Sequence, residues 1–205
     1  MCGLARTTGG PESTFVLLGG DICHFPGTFR PSADQRLPET IPSKALDNDA
    51  YFPVPCPGSL FTDIHPVMTG GKPADPLSFD PRASPFYRIS NHETAAYMDT
   101  KVSQCSVDKL IAFDSSPSVL ICLSHDETVL HGIPTLNASP NDDLNSWQKR
   151  GFKKQILWGW LNDLPRNGRP GRQPAVEGFW RDKKPWMEAK EILQKNGSQA
   201  SSSGL

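Results

Sequence analysis

Proline decides what this chain can fold into. It occurs 20 times in 205 residues, about twice the usual frequency of roughly 5%. Twelve of the 20 fall between Phe25 and Pro85. Each proline fixes φ and withdraws an amide donor, so a long regular sheet cannot run through that stretch. Clusters such as Phe52-Pro-Val-Pro-Cys-Pro-Gly58 mark it as an irregular lid or insertion on a compact core. A turn of helix near Ser59–Ile64 is the regular structure expected inside it.

The core must come from elsewhere. Thr14-Phe-Val-Leu-Leu-Gly-Gly-Asp21 and Ser118-Val-Leu-Ile-Cys-Leu-Ser124 read as buried strands, short apolar runs bounded by glycine, proline and polar residues. Ser90-Asn-His-Glu93 has a capping-box pattern, which predicts a helix running to about Phe113. Met98, Val102, Val107, Leu110 and Ile111 form its apolar stripe. Trp147 to Leu164 reads as a last amphipathic helix, with Trp147, Ile156, Leu157, Trp160 and Leu161 inside and Lys149, Arg150, Lys153 and Lys154 largely elsewhere. Residues 167–174 read as a linker, 185–195 as a terminal helix and 199–205 as a loose tail. Strand, long crossing segment, helix, strand, helix is an α/β order. Two central strands are few for a free-standing sheet, so the proline-rich region hides more strands or part of the domain is missing.

Charge is divided unevenly. Residues 1–147 carry 9 Lys/Arg against 17 Asp/Glu, and residues 148–205 carry 12 against 5. The basic part either binds an anionic partner or solvates beside an acidic body. No zinc-finger or RNA-recognition pattern favours nucleic acid. No stretch approaches the roughly 18 apolar residues of a membrane span, and the amino end lacks an apolar signal core. Five cysteines at unpatterned spacings point to reduced thiols and a cytoplasmic location.

Two of the five histidines stand where ligands gather in α/β sheets, beyond the carboxyl ends of the two strands. The first strand delivers Asp21-Ile-Cys-His24; the second delivers Ser124-His125-Asp126-Glu127. A carboxylate and an imidazole on neighbouring strands are ligands that zinc accepts. The plainer alternatives are that Asp21 is a turn residue and that Ser124-x-x-Glu127 is a capping box carrying His125 in its first turn. His65, His92 and His131 read as surface histidines. There is no Gly-x-Ser-x-Gly elbow, Walker loop or Gly-x-Gly-x-x-Gly.

Taken jointly, several segments resemble a fungal, lactone-hydrolase-like group of the metallo-β-lactamase superfamily. They are Cys2-Gly-Leu-Ala-Arg-Thr-Thr8, Phe15-Val-Leu-Leu-Gly-Gly-Asp-Ile-Cys-His24, Phe29-Arg-Pro-Ser32, Cys56-Pro-Gly-Ser-Leu-Phe61, Leu123-Ser-His-Asp-Glu127 and the 147–164 helix. The resemblance implies the carboxy-terminal half of an αββα metallo-β-lactamase sandwich, with a long proline-rich insertion. Residues 1–164 would form that partial domain, 25–85 its lid or insertion, and 165–205 a basic extension.

The resemblance also implies a metal-dependent hydrolase. A metal-bound hydroxide would attack a small-molecule ester, lactone or related acyl substrate, with two zinc ions in the intact family. Asp21 matches the carboxylate that bridges both metals, and His125 matches the last ligand of the second metal. His24 stands where lactone hydrolases place a tyrosine that touches substrate, and would contact substrate or relay a proton. Asp126 would orient a ligand from behind.

The superfamily's main signature, His-x-His-x-Asp-His, does not occur in these residues. Two of seven expected ligand positions are therefore present, and Met1-Cys-Gly-Leu resembles the middle of a family member. The expectation is a truncated chain, inactive alone and weak or empty in zinc, with a partner chain as one source of the missing half. Neither nucleic acid nor membrane is expected as a partner. The competing expectation is a non-catalytic remnant or binding module without metal chemistry.

Overall fold

The computed structural model describes residues 2–47, 52–70, 79–91, 97–135 and 137–165, together with 180–181 and 184–185. In chain order the strands are β1 (Gly3–Arg6), β2 (Phe15–Gly20), β3 (Thr40–Ile41), β4 (Cys56–Pro57), β5 (Val119–Leu123), β6 (Trp180–Arg181) and β7 (Lys184–Pro185). The helices are α1 (Ser59–Thr62), α2 (Pro66–Gly70), α3 (Thr100–Ser115), α4 (Glu127–Gly132), α5 (Trp147–Arg150) and α6 (Phe152–Ile156). The fold is mixed α/β. No helix among the described residues is long and apolar enough to cross a membrane.

The two apolar runs pair in parallel as β2 and β5, with Phe15 opposite Val119 and Leu18 opposite Cys122. A third strand joins them. β1 lies antiparallel on the outer side of β2, closing a sheet of order β1-β2-β5. All four β1 residues are exposed, so the alternation that reveals a half-buried strand is absent from its sequence.

Period two divides the sheet between two cores. Leu17, Val119 and Ile121 meet Val107 and Leu110 of α3 on one face. Val16 and Leu120 meet Val129 of α4, Trp147 of α5, and Phe152 and Ile156 of α6 on the other.

The proline-rich stretch packs by another logic. β3 and β4 pair over only two residues each. Leu37, Ile41 and Phe61 join Trp160, Leu161 and Leu164 in a third core. The segment is thereby held by side chains more than by backbone ladders. His65 departs from the surface position expected of it: it is only 1% exposed. Its Nδ1 accepts from the Val67 amide at 3.2 Å, which leaves the proton on Nε2, 3.2 Å from the Pro85 carbonyl oxygen. Phe79 and Phe86 flank the ring, and burial lowers its pKa. A neutral ring tying the start of α2 to Pro85 at the end of the insertion results. His131 is exposed in the last turn of α4, and His92 lies outside the described residues.

Two helices differ from their sequence patterns. α3 starts at Thr100, where the Asp99 carboxylate accepts from the Val102 amide at 2.9 Å. α3 is capped at Asp99, and residues 92–96 of the expected helix lie outside the described residues. Met98 therefore precedes the helix and is fully exposed, and Val102 is exposed as well. The buried face is Gln104, Val107, Leu110 and Asp114, a stripe disguised by its two polar members.

The single helix expected over 147–164 is broken. Gly151 adopts φ +72° between α5 and α6, a left-handed conformation suited to glycine, and Gly159–Asp163 continues as a 3-10 helix. Residues 167–174 and 199–205 lie outside the described residues. So does the terminal helix expected over 185–195, except Pro185, which pairs in β7.

Breaking that helix aims Lys153 inward. Its ammonium donates to the carbonyls of Asp114 (2.5 Å), Ser116 (2.6 Å) and Val119 (2.8 Å). Two of these belong to the end of α3, where carbonyls lack helical partners. Burial pulls the Lys153 pKa down to about 8, against the opposing pull of Asp114. At neutral pH it is still mainly charged.

Beside it, Arg30 forms a two-pronged pair with Asp114, Nε to Oδ2 at 2.8 Å and Nη2 to Oδ1 at 2.6 Å. Both side chains are at most 3% exposed. Arg30 Nη1 also donates to the Leu157 carbonyl at 3.2 Å. Removing one partner of such a pair leaves a buried charge uncompensated. Asp114→Ala is expected to lose about 3–5 kcal/mol of stability. Arg30→Met with Asp114→Leu should lose less than Asp114→Ala alone, as read by urea unfolding of the three variants beside wild type.

Candidate functional site

The carboxyl ends of β2 and β5 build the site, and a glycine pair shapes it. Pairing skips Gly19: Leu18 faces Cys122 and Gly20 faces Leu123. This extra residue is a β-bulge, which bends a strand and re-aims the side chains beyond it. A Cβ on Gly19 would stand 2.7 Å from Leu123 Cδ2. Gly20 takes φ +54°, which disfavours other residues. The Ser124 amide then donates to the Gly20 carbonyl at 3.2 Å. Both strand exits are thus tied together where their polar residues begin.

Asp21 and His125 leave those exits facing each other. Asp21 Oδ1 lies 3.1 Å from His125 Nε2, with both side chains exposed. The His24 ring centroid is 4.5 Å from that of His125, with the planes inclined by 59°. One candidate ligand atom from each of Asp21, His24 and His125 lies within 4.8 Å of the other two.

The backbone beneath them is anchored. Cys23, between Asp21 and His24, is completely buried, and burial raises its thiol pKa despite a hydrogen bond with Thr28. The Tyr97 ring lies 5.9 Å from the His24 ring, inclined by 31°, and burial raises the Tyr97 pKa. Tyr97 is a site neighbour that the sequence reading missed. It falls inside the helix expected from Ser90 to Phe113, outside the apolar stripe read for that helix.

Asp126 has a clear local task. Its carboxylate accepts from the Thr128 amide at 3.0 Å and from the Thr128 hydroxyl, capping α4. The cap is therefore Asp126, one residue beyond His125. Ser124 does not cap the helix, and His125 occupies the turn before it. A cleft of about 290 Å³ opens beside His125, with Leu123, Val129, Leu130 and Ile133 on its walls.

Comparison with known proteins finds fungal relatives. The chain is 37% identical over 164 residues to Gamma-lactamase FDB1 of Fusarium pseudograminearum, covering 80% of this chain and 35% of the relative. It is 31% identical over 165 residues to Metallo-hydrolase mfmC of Annulohypoxylon moriforme, covering 80% of this chain and 37% of that protein. Gamma-lactamase MBL2 of Gibberella moniliformis is 40% identical over 111 residues, covering 54% of this chain and 39% of that protein. These matches to gamma-lactamases and a metallo-hydrolase of fungi support a fungal protein of the metallo-β-lactamase superfamily. It spans little more than a third of the length of the curated relatives it matches. No family model and no solved structure matches it.

The bulge supplies a test of how the site is aimed. Gly20→Val forces a β-branched residue into a left-handed conformation, at a cost of about 2 kcal/mol. It should also shift the imidazole NMR signals of His24 and His125. Gly10 has φ +88° in the open turn between β1 and β2, with no atom within 4 Å of an added Cβ. Gly10→Ala should cost about 1 kcal/mol and leave both imidazole signals in place.

Proposed function

We propose that this chain carries part of the active site of a metal-dependent hydrolase acting on a lactam, lactone, ester or related acyl substrate. Asp21 and His125 serve as metal ligands, with zinc as the ion. The observation that carries the reading is the 3.1 Å approach of Asp21 Oδ1 to His125 Nε2 at adjacent parallel strand ends. Two ligands at 2.0–2.2 Å from one tetrahedral zinc stand roughly 3.3 Å apart, so the pair suits a shared ion. The names of the relatives, gamma-lactamase and metallo-hydrolase, supply the reaction class.

A bound metal supplies Lewis acidity, polarising an acyl carbonyl and acidifying water. The chain's own residues do the rest. His24 faces the same space, where an imidazole donates to the acyl oxygen or carries a proton to the leaving group. The apolar cleft beside His125 accommodates the substrate body. Asp126 acts on His125 from behind by fixing the first turn of α4, as outer groups orient ligands. On this reading the β1-β2-β5 sheet belongs to the carboxy-terminal half of the αββα sandwich.

The 205 residues hold no His-x-His-x-Asp-His run, so the reading assigns the isolated chain no turnover. Joining a segment that carries the His-x-His-x-Asp-His signature and its half of the sandwich ahead of Cys2 should yield hydrolysis within a panel of γ-lactams, lactones and esters. Asp21→Ala or His125→Ala in that chimera should reduce kcat/KM by at least about 10³-fold. A chimera that folds and turns over equally well without either side chain would remove the assignment.

A further inference from the structure

We propose that His24 is itself a ligand, so that Asp21, His24 and His125 together hold one divalent transition-metal ion within this chain. The proposal rests on reading the adjoining ends of β2 and β5 as a metal site, and it changes what His24 does there.

The distances carry the argument. Asp21 and His125 already stand at a shared-ligand separation, 3.1 Å. A His24 ligand atom lies within 4.8 Å of a ligand atom on each of them. Closing such a gap to roughly 3.3 Å, the spacing of two ligands on one zinc, requires rotation about side-chain bonds. The His24 and His125 rings are tilted by 59° rather than stacked face to face, which leaves room for nitrogens of both to turn toward a common point.

The backbone is prepared for this. Asp21 and His24 flank the completely buried Cys23 on one turn, and the Tyr97 ring packs 5.9 Å from the His24 ring. His125 is fixed between the Ser124–Gly20 hydrogen bond and the capped end of α4. Ligands on anchored elements lose little freedom when an ion binds.

Ligand number then decides affinity. Two protein ligands fall short of the three that a catalytic zinc keeps; two imidazoles and a carboxylate supply three and leave a position open. The set also suits cobalt(II) and other ions that accept imidazole with carboxylate. The weak or empty site expected from the sequence follows from counting two ligands.

Calorimetric titration of the full 205-residue chain with zinc should show one equivalent bound. His24→Phe keeps an aromatic ring and removes both nitrogens. It should weaken binding more than about 100-fold, beyond the 10–100-fold cost of losing an orienting outer group. Asp21→Asn and His125→Phe should weaken it comparably. Cobalt(II) loaded into His24→Cys should show a sulfur-to-metal charge-transfer band in the near ultraviolet, a result that stands even where His24→Phe folds poorly.

If His24→Phe binds zinc like wild type and the cysteine variant shows no such band, His24 is not a ligand. The metal reading of Asp21 and His125 then survives. If the wild-type chain binds neither zinc nor cobalt(II) at millimolar concentration, the metal reading itself fails.

Discussion

The buried Arg30–Asp114 pair is where three parts of the chain meet. Arg30 comes from the start of the proline-rich segment, Asp114 from the last turn of α3, and the Leu157 carbonyl, which Arg30 also reaches, from just beyond α6. Lys153 binds the carbonyls at the same end of α3 and at the start of β5. Two cations and one carboxylate thus fix the exit of α3, the entry of β5 and the seat of the insertion. The Arg30 charge also attracts Asp126, which caps the helix after His125. Burying ions is costly unless every partner is in place, so the junction tolerates few alternative packings of these segments.

The strands that make the site were legible because they obey the simplest rule. Val16 and Leu17 in β2 and Leu120 and Ile121 in β5 are buried on opposite faces, so continuous apolar runs mark both strands. β1 escaped because it is an exposed edge. The start of α3 differs because two cap-like residues compete, and the Asp99 carboxylate is the one that accepts from the first-turn amide of Val102. The 147–164 stretch was read as one helix because its apolar spacing continues through Gly151. A left-handed φ at one glycine leaves no trace in that periodicity.

The site was legible as a pair of segments and less so as a geometry. Asp21, His24 and His125 all lie just past strand ends, the position that topology favours for ligands in α/β sheets. What spacing could not convey is the bulge at Gly19, the packing of Tyr97 against His24, or the cap falling on Asp126. Each depends on a neighbour distant in sequence or on a backbone angle. His65 shows the opposite error: a histidine before proline looks exposed, yet here it fills an aromatic niche between Phe79 and Phe86.

The parallel pairing of β2 with β5 sets the order in which this protein can mature. Partners about a hundred residues apart must meet before Asp21 and His125 are neighbours, and closing so large a loop carries an entropic cost that local helices avoid. On a ribosome, β2 emerges long before β5 and waits with its apolar face open. The insertion and α3 are synthesised in that interval. Asp21 and His125 are therefore separated until most of the described fold has been made, and on the metal reading proposed above a chain still under synthesis has no assembled site with which to capture an ion.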